Sequence, residues 1–181
     1  MKSNKKLILA FTLIFLSFSI FAQSVPRTYK GISLGLNVDE TKELLVNTGT
    51  FGYTGDRDVS FLPGENRVLI ETDARGNGSS RFLDRCYFQF DQDILYIMTF
   101  NINTDNMDYY SVFTTLCKKY GEPTSIDPSR AMWKDNQTTL YLEKPLTLKY
   151  IDNTIFDKTL QQSSVKPAVE EITREMFLDE L

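Results

Sequence analysis

The chain has 181 residues, with 20 basic and 24 acidic side chains and no histidine. Without imidazole, Ser-His-Asp and Cys-His catalysis are excluded, and the commonest general base and the usual zinc or copper ligand are missing. The acidic balance argues against phosphate backbones and acidic lipid head groups as partners, and the length fits one domain with a real core.

Residues 1–22 read as a cleavable secretory signal peptide. Lys2, Lys5 and Lys6 precede an uncharged apolar run, and Ala22 stands just before the polar pair Gln23 and Ser24. Ser17 and Ser19 interrupt the run before it reaches the roughly 20 apolar residues of a spanning helix. No cysteine follows it to take a lipid anchor. The expectation is a protein exported to the periplasm or beyond the cell, with no stable membrane anchor after cleavage. A single α+β domain is expected over 23–157, followed over 158–181 by a linker and an acidic C-terminal helix.

A first helix is expected from Asn37, which caps the free amides while Glu40 reaches back in a capping box, and Gly49 stops it. The 49–66 loop carries Tyr53 and Phe61. Aromatic side chains supply contact energy at interfaces, so these two are candidate binding residues, with core edges as the plainer alternative. Strands follow over 67–73, 82–91 and 94–103, the last two joined by the turn Asp91-Gln92-Asp93. Twofold alternation in the third puts Ile94, Tyr96, Met98, Phe100 and Ile102 on one face and Leu95, Ile97, Thr99 and Asn101 on the other.

The spacing of Met107, Tyr110, Phe113, Leu116, Cys117 and Tyr120 predicts a second helix over 105–120, ended by Gly121 and Pro123. Strands recur over 131–134, 138–143 and 146–151. A short helix is expected over 154–161, and from Pro167 a terminal helix with Val169, Ile172 and Met176 set among acids. The fold class is therefore α+β: helices packed on one face of an antiparallel sheet, as two tandem helix-plus-three-strand halves with a C-terminal helical tail.

Cys86 and Cys117 both point at the core, either as a disulfide or as unpaired small apolar residues. The acid pairs Asp56 with Asp58, Asp91 with Asp93, and Asp105 with Asp108 are the remaining catalytic vocabulary. A loop, a turn and a helix start account for them in that order. No catalytic residue, metal ligand or cofactor is assigned. Ser163 to Lys166 fits a Ser-x-x-Lys pattern, but the companion motifs of serine acyl enzymes are missing.

The run from Leu34 to Leu45 resembles the helix start, and the run from Leu116 to Pro123 followed by Trp133 the helix end, of two groups of exported bacterial modules. These are the BamE/SmpA-like envelope modules and the secreted β-lactamase inhibitor proteins. The resemblance covers roughly 29–151 and implies helices over an antiparallel sheet in an envelope protein; it assigns no functional residue. The lipid-anchor cysteine of the envelope lipoproteins is missing, and the two motifs fall in different halves. The functional expectation is a non-catalytic binding or cell-envelope module whose partner is another envelope protein, met through an exposed sheet face or the 49–66 loop. The alternatives are a carboxylate-based hydrolase of an envelope polymer and a structural subunit of a periplasmic assembly joined through the acidic terminal helix.

Overall fold

A computed structural model describes residues 24–61, 66–74, 81–163 and 177–178. The signal peptide and the terminal helix, both expectations from the sequence, lie outside these residues, apart from Phe177 and Leu178.

The described chain opens with a hairpin of β1 (Thr28–Tyr29) and β2 (Ile32–Ser33). Its turn holds Lys30 at φ 47° and Gly31 at φ 87°, two left-handed residues in succession, as in the type I′ turns that join short antiparallel strands. Glycine adopts this conformation at no steric cost, whereas lysine does so against its own β-carbon.

Helix α1 (Val38–Thr48) starts at Asn37, whose side chain accepts from the Glu40 amide at 2.8 Å while the Glu40 carboxylate accepts from the Asn37 amide at 3.0 Å. A single 3-10 turn at Asp56–Asp58 leads into β3 (Val59–Phe61), β4 (Arg67–Asp73), β5 (Leu83–Asp91) and β6 (Ile94–Ile102). Then come α2 (Tyr109–Tyr120), β7 (Ser125–Ile126), β8 (Arg130–Lys134), β9 (Thr138–Glu143), β10 (Thr147–Asp152) and α3 (Asn153–Ser163). Helix α3 runs through residue 157, where the sequence suggests a domain boundary.

Eight of the strands form one antiparallel sheet in the order β3-β4-β5-β6-β10-β9-β8-β7. Helices α1 and α2 are thus each followed by a meander of four strands, and the two quartets meet where β6 pairs with β10. Three strands are expected per half. The fourth in each is an edge strand of three or two residues, too short to carry a hydrophobic period.

One sheet face carries the main core, with Phe88, Met98, Phe100, Leu140 and Leu142 fully buried beneath Leu45 of α1 and Leu116 of α2. Each such side chain withdrawn from water contributes about 1.5 to 3 kcal/mol. The helices are not confined to that face. Ile155 and Phe156 of α3 pack on Tyr96, Ile97 and Ile151, which alternate with core residues along β6 and β10 and so face the other way.

The alternation expected along β6 breaks at a bulge. Gln89 stands opposite Ile97 but Phe90 opposite Leu95, so Tyr96 is an extra residue. Leu95 therefore joins Met98 and Phe100 in the core, and Tyr96 turns to the opposite face. A similar shift affects α2. The helix begins after its cap Asp108, and its inward stripe is Tyr109, Val112, Phe113, Leu116, Cys117 and Tyr120, leaving Tyr110 73% exposed.

Helix α2 is fastened at both ends. The Tyr109 hydroxyl donates to the Leu142 carbonyl at 3.2 Å, and the Trp133 indole to the Gly121 carbonyl at 2.9 Å. The entering chain is tied to both quartets. The Val25 amide donates to Asp135 at 2.8 Å and Arg27 pairs with Asp152, while Leu95 exchanges 2.8 Å backbone bonds with Gly35 and Leu36. Asp152 also accepts from the Ile155 amide at 3.1 Å, which starts α3.

Candidate functional site

A cleft of about 560 Å³ lies between the β1–β2 turn and α2, over the junction of the two quartets. Its volume is typical of small-molecule sites. Leu83, Ile102, Leu148 and Tyr150 from β5, β6 and β10 form its floor. Val112, Thr115, Leu116, Lys119 and Tyr120 form one wall, and Thr28, Tyr29 and Lys30 the other. Among the described residues Lys30 and Lys119 are the only ionised groups in the lining, which holds no carboxylate, although acids outnumber bases in the chain.

Tyr29 holds the hairpin down on the sheet, its ring 4.3 Å from Phe100, 6.1 Å from Tyr150 and 6.3 Å from Phe51. Burial pushes the Tyr29 phenol up to about 12, with the Cys86 thiol adding to the effect. Burial also raises Tyr150, to which Tyr120 and Tyr29 contribute, and it raises Tyr120. All three phenols therefore stay protonated at neutral pH, as hydrogen-bond donors. Among the described residues none of these hydroxyls has a partner within the protein. The cleft thus presents donors and cations above an apolar floor, suited to a ligand with acceptor oxygens and negative charge.

Cys86 and Cys117 are free thiols, so the candidate disulfide is not formed in this structure. Cys86 is buried on β5 opposite Thr72, and burial drives its thiol up to about 12. Cys117 sits on α2, which Tyr109 and Trp133 fasten over β9 and β8, and burial followed by the nearby Glu122 raises its thiol. Neither has the lowered pKa of a nucleophile.

The aromatic candidates of the 49–66 loop are not brought together in the cleft. Tyr53 packs against the main core, its phenol raised by burial and then by Asp56 and Asp58. Phe61 stands 71% exposed on the edge strand β3, beside a separate depression that includes Lys42 and Asp93.

Five of the six paired acids, Asp56, Asp58, Asp91, Asp93 and Asp108, are engaged locally. Asp56 faces Lys42 at 3.5 Å, and Asp58 accepts from the Thr54 amide at 2.7 Å and hydroxyl at 2.8 Å. Asp91 pairs with Arg67 at 3.6 Å, and Asp93 accepts from the Val38 amide at 3.2 Å, at the start of α1. Asp108 caps α2, and bonds from Ser111 hold its carboxyl below the usual range. Among the described residues no group of three Cys, Asp or Glu side chains could hold a metal ion, and no helix is long and apolar enough to cross a membrane.

Beyond α3, the opposite sheet face bears cross-strand polar pairs. Arg85 meets Glu71 at 2.9 Å, Lys149 meets Glu143 at 2.8 Å, and the Arg130 guanidinium lies 5.0 Å from the Tyr141 ring. Tyr87 and Gln89 line a shallow hollow there with Leu69 and Tyr96.

Sequence reasoning missed the cleft because its lining is drawn from residues 28 to 150. The one local signal was the Lys30-Gly31 turn, which marks a hairpin but not what it stands over. The profile of the TP0088 domain family matches residues 27–162, the stretch that contains the whole cleft. No curated protein and no solved structure matches the chain.

Proposed function

The chain belongs to the TP0088 domain family, and we propose that it is an exported, non-catalytic binding module of the cell envelope that takes its ligand in the cleft between the hairpin and α2. The observation that carries this reading is the composition of that cleft: among the described residues its lining holds two lysines, three protonated phenols and the apolar Leu83, Ile102 and Leu148, and no carboxylate. The candidate acids Asp56, Asp58, Asp91, Asp93 and Asp108 serve caps, turns and ion pairs, which supports binding over a carboxylate-based hydrolase. Export rests on the basic and apolar pattern of residues 1–22. The finer fold reading belongs to the same proposal: two tandem helix-led halves, similar to the β-lactamase inhibitor and BamE/SmpA-like modules, are supported by the two quartets meeting at β6 and β10.

A second reading places an envelope protein partner on the opposite sheet face. It is favoured by the half-buried Tyr87, Gln89, Met132 and Tyr141, of which Tyr141 packs on the Tyr96, Ile97 and Ile151 cluster beside α3.

The test is rescue of a deletion strain. Thr115 is exposed on α2 and lines the cleft, so Thr115→Trp fills the site without entering the core. It should abolish rescue, whereas Asp56→Asn with Asp58→Asn, and Asp91→Asn with Asp93→Asn, should keep it. A real general acid or base would cost about 100-fold to 10,000-fold in rate. Rescue by Thr115→Trp alongside failure of a folded Asp-to-Asn variant would move the hydrolase to first place.

A further inference from the structure

We infer that the cleft binds an apolar carbonyl compound, whose uncharged carbonyl oxygen accepts a hydrogen bond from the Tyr150 hydroxyl. The inference rests on the cleft being the binding site and names the chemistry of its ligand.

Burial is the first argument. Tyr150 on β10 is 3% exposed, and its ring is held 5.9 Å from that of Phe100 and 6.1 Å from that of Tyr29. Among the described residues its hydroxyl has no hydrogen-bond partner. The oxygen is not sealed in either, because the one enclosed and unpartnered side-chain oxygen among the described residues is Thr72 Oγ1. Tyr150 lines the cleft, so its hydroxyl opens on to that space. A buried donor left unpaired is costly, and a donor already fixed in place loses little freedom on meeting an acceptor.

The second argument is what the other polar side chains of the lining already do. Thr28 bonds Ser33 at 2.6 Å, Ser111 donates to Asp108 at 2.6 Å, and Thr115 donates to the Ser111 carbonyl at 2.7 Å. Lys119 is engaged within the protein. The Tyr29 and Tyr120 phenols are half-buried and Lys30 is exposed, so water can serve all three. Tyr150 is the buried polar group of the lining that still has a bond to make.

The chemistry of the partner follows. Buried Leu83, Leu116 and Leu148 stand around the same space, which favours a hydrocarbon body. Burying a carboxylate among them would cost far more than one neutral phenol returns, so the anchored oxygen is uncharged. Burial raises the Tyr150 phenol, which therefore remains a donor at neutral pH. A ligand hydroxyl would bring a further proton needing its own acceptor, whereas a carbonyl oxygen only accepts.

The experiment is methyl NMR on the exported chain, titrated with 2-acetylnaphthalene and with 2-isopropenylnaphthalene. The two share one shape and differ by a carbonyl oxygen against a methylene. Both should shift the methyl signals of Ile102, Met107 and Leu148 saturably, and the ketone should bind about two- to tenfold more tightly, the gain from one neutral hydrogen bond. Tyr150→Phe keeps the ring and removes the donor. It should bind the two probes equally and, with no bond inside the protein lost, melt no lower than the parent. Equal binding by the parent, a ketone preference that survives in Tyr150→Phe, a lower melting temperature for that variant without ligand, or no saturable shift with the ketone would each overturn the inference. The first and last of these need no variant. If the ketone fails while Thr115→Trp still abolishes rescue, the ligand class is wrong and the binding site stands.

Discussion

The ring of Tyr29 lies 4.3 Å from that of Phe100, tilted by 36°. This contact fastens a strand of only two residues to the centre of the sheet and makes the hairpin one wall of the cleft. Tyr29→Ala should lower stability by roughly 2 to 4 kcal/mol, near the lower part of the range for truncating a buried ring because Tyr29 is only half-buried. Tyr29→Phe keeps the ring and should change stability by less than about 1 kcal/mol. Urea denaturation of the two variants separates the cases, and equal losses would mean that the hydroxyl rather than the ring holds the hairpin.

Helix α2 gives the second test, through the face it buries. Leu116 is the helix's one buried residue, whereas Tyr110 is 73% exposed. Leu116→Ala should cost about 2 to 5 kcal/mol, Phe113→Ala somewhat less than a fully buried ring, and Tyr110→Ala less than about 0.5 kcal/mol. Thermal melts of the three variants check the order. A Tyr110 effect as large as that of Leu116 would mean the helix is rotated from the face described.

Much of the fold could be read from the sequence where local chemistry and periodicity agree. The capping box of Asn37 and Glu40, the strands from Arg67 and Thr138, and the turn at Gln92 and Asp93 follow from side chains acting on neighbouring backbone. Three kinds of feature were illegible. Strands β1, β2, β3 and β7 have two or three residues each, fewer than a period needs. The bulge at Tyr96 is set by pairing with β5 across the hairpin, which single-strand alternation does not contain. The cleft joins Lys30 to Tyr150 only once β6 has met β10, a contact between distant segments that no local pattern encodes.

The thiols give a third prediction. Since both are free and both pKa values are raised, iodoacetamide at pH 8 without reductant should label the half-buried Cys117 slowly and leave Cys86 untouched in the folded protein. After unfolding, still without reductant, both should label. Failure of either to label in the unfolded protein would show that a disulfide forms between them.

Asp127 gives the acid limb. The Ser129 hydroxyl, the Ser129 amide and Arg130 hold its carboxyl at about 2, below the usual value of roughly 3.9. With the folded value depressed, the unfolded chain takes up the proton first as pH falls. The stabilisation is therefore complete above about pH 4 and is lost as pH drops towards 2. Asp127→Asn should be less stable than the parent at pH 6, and the gap should close between those limits. A gap that persists at pH 2 would assign the difference to packing instead of charge.

The central claim, that this chain works by holding a ligand between the hairpin and α2, is tested most directly by photocrosslinking in cells of the native host. One compact aliphatic diazirine side chain, far smaller than an indole, replaces Thr115 in the cleft, and another replaces Met132 on the opposite sheet face. Mass spectrometry then reads what each carries. The account predicts a defined small-molecule adduct at position 115 and none at position 132. A protein adduct at 132 with nothing at 115 would contradict it and give the function to the sheet face.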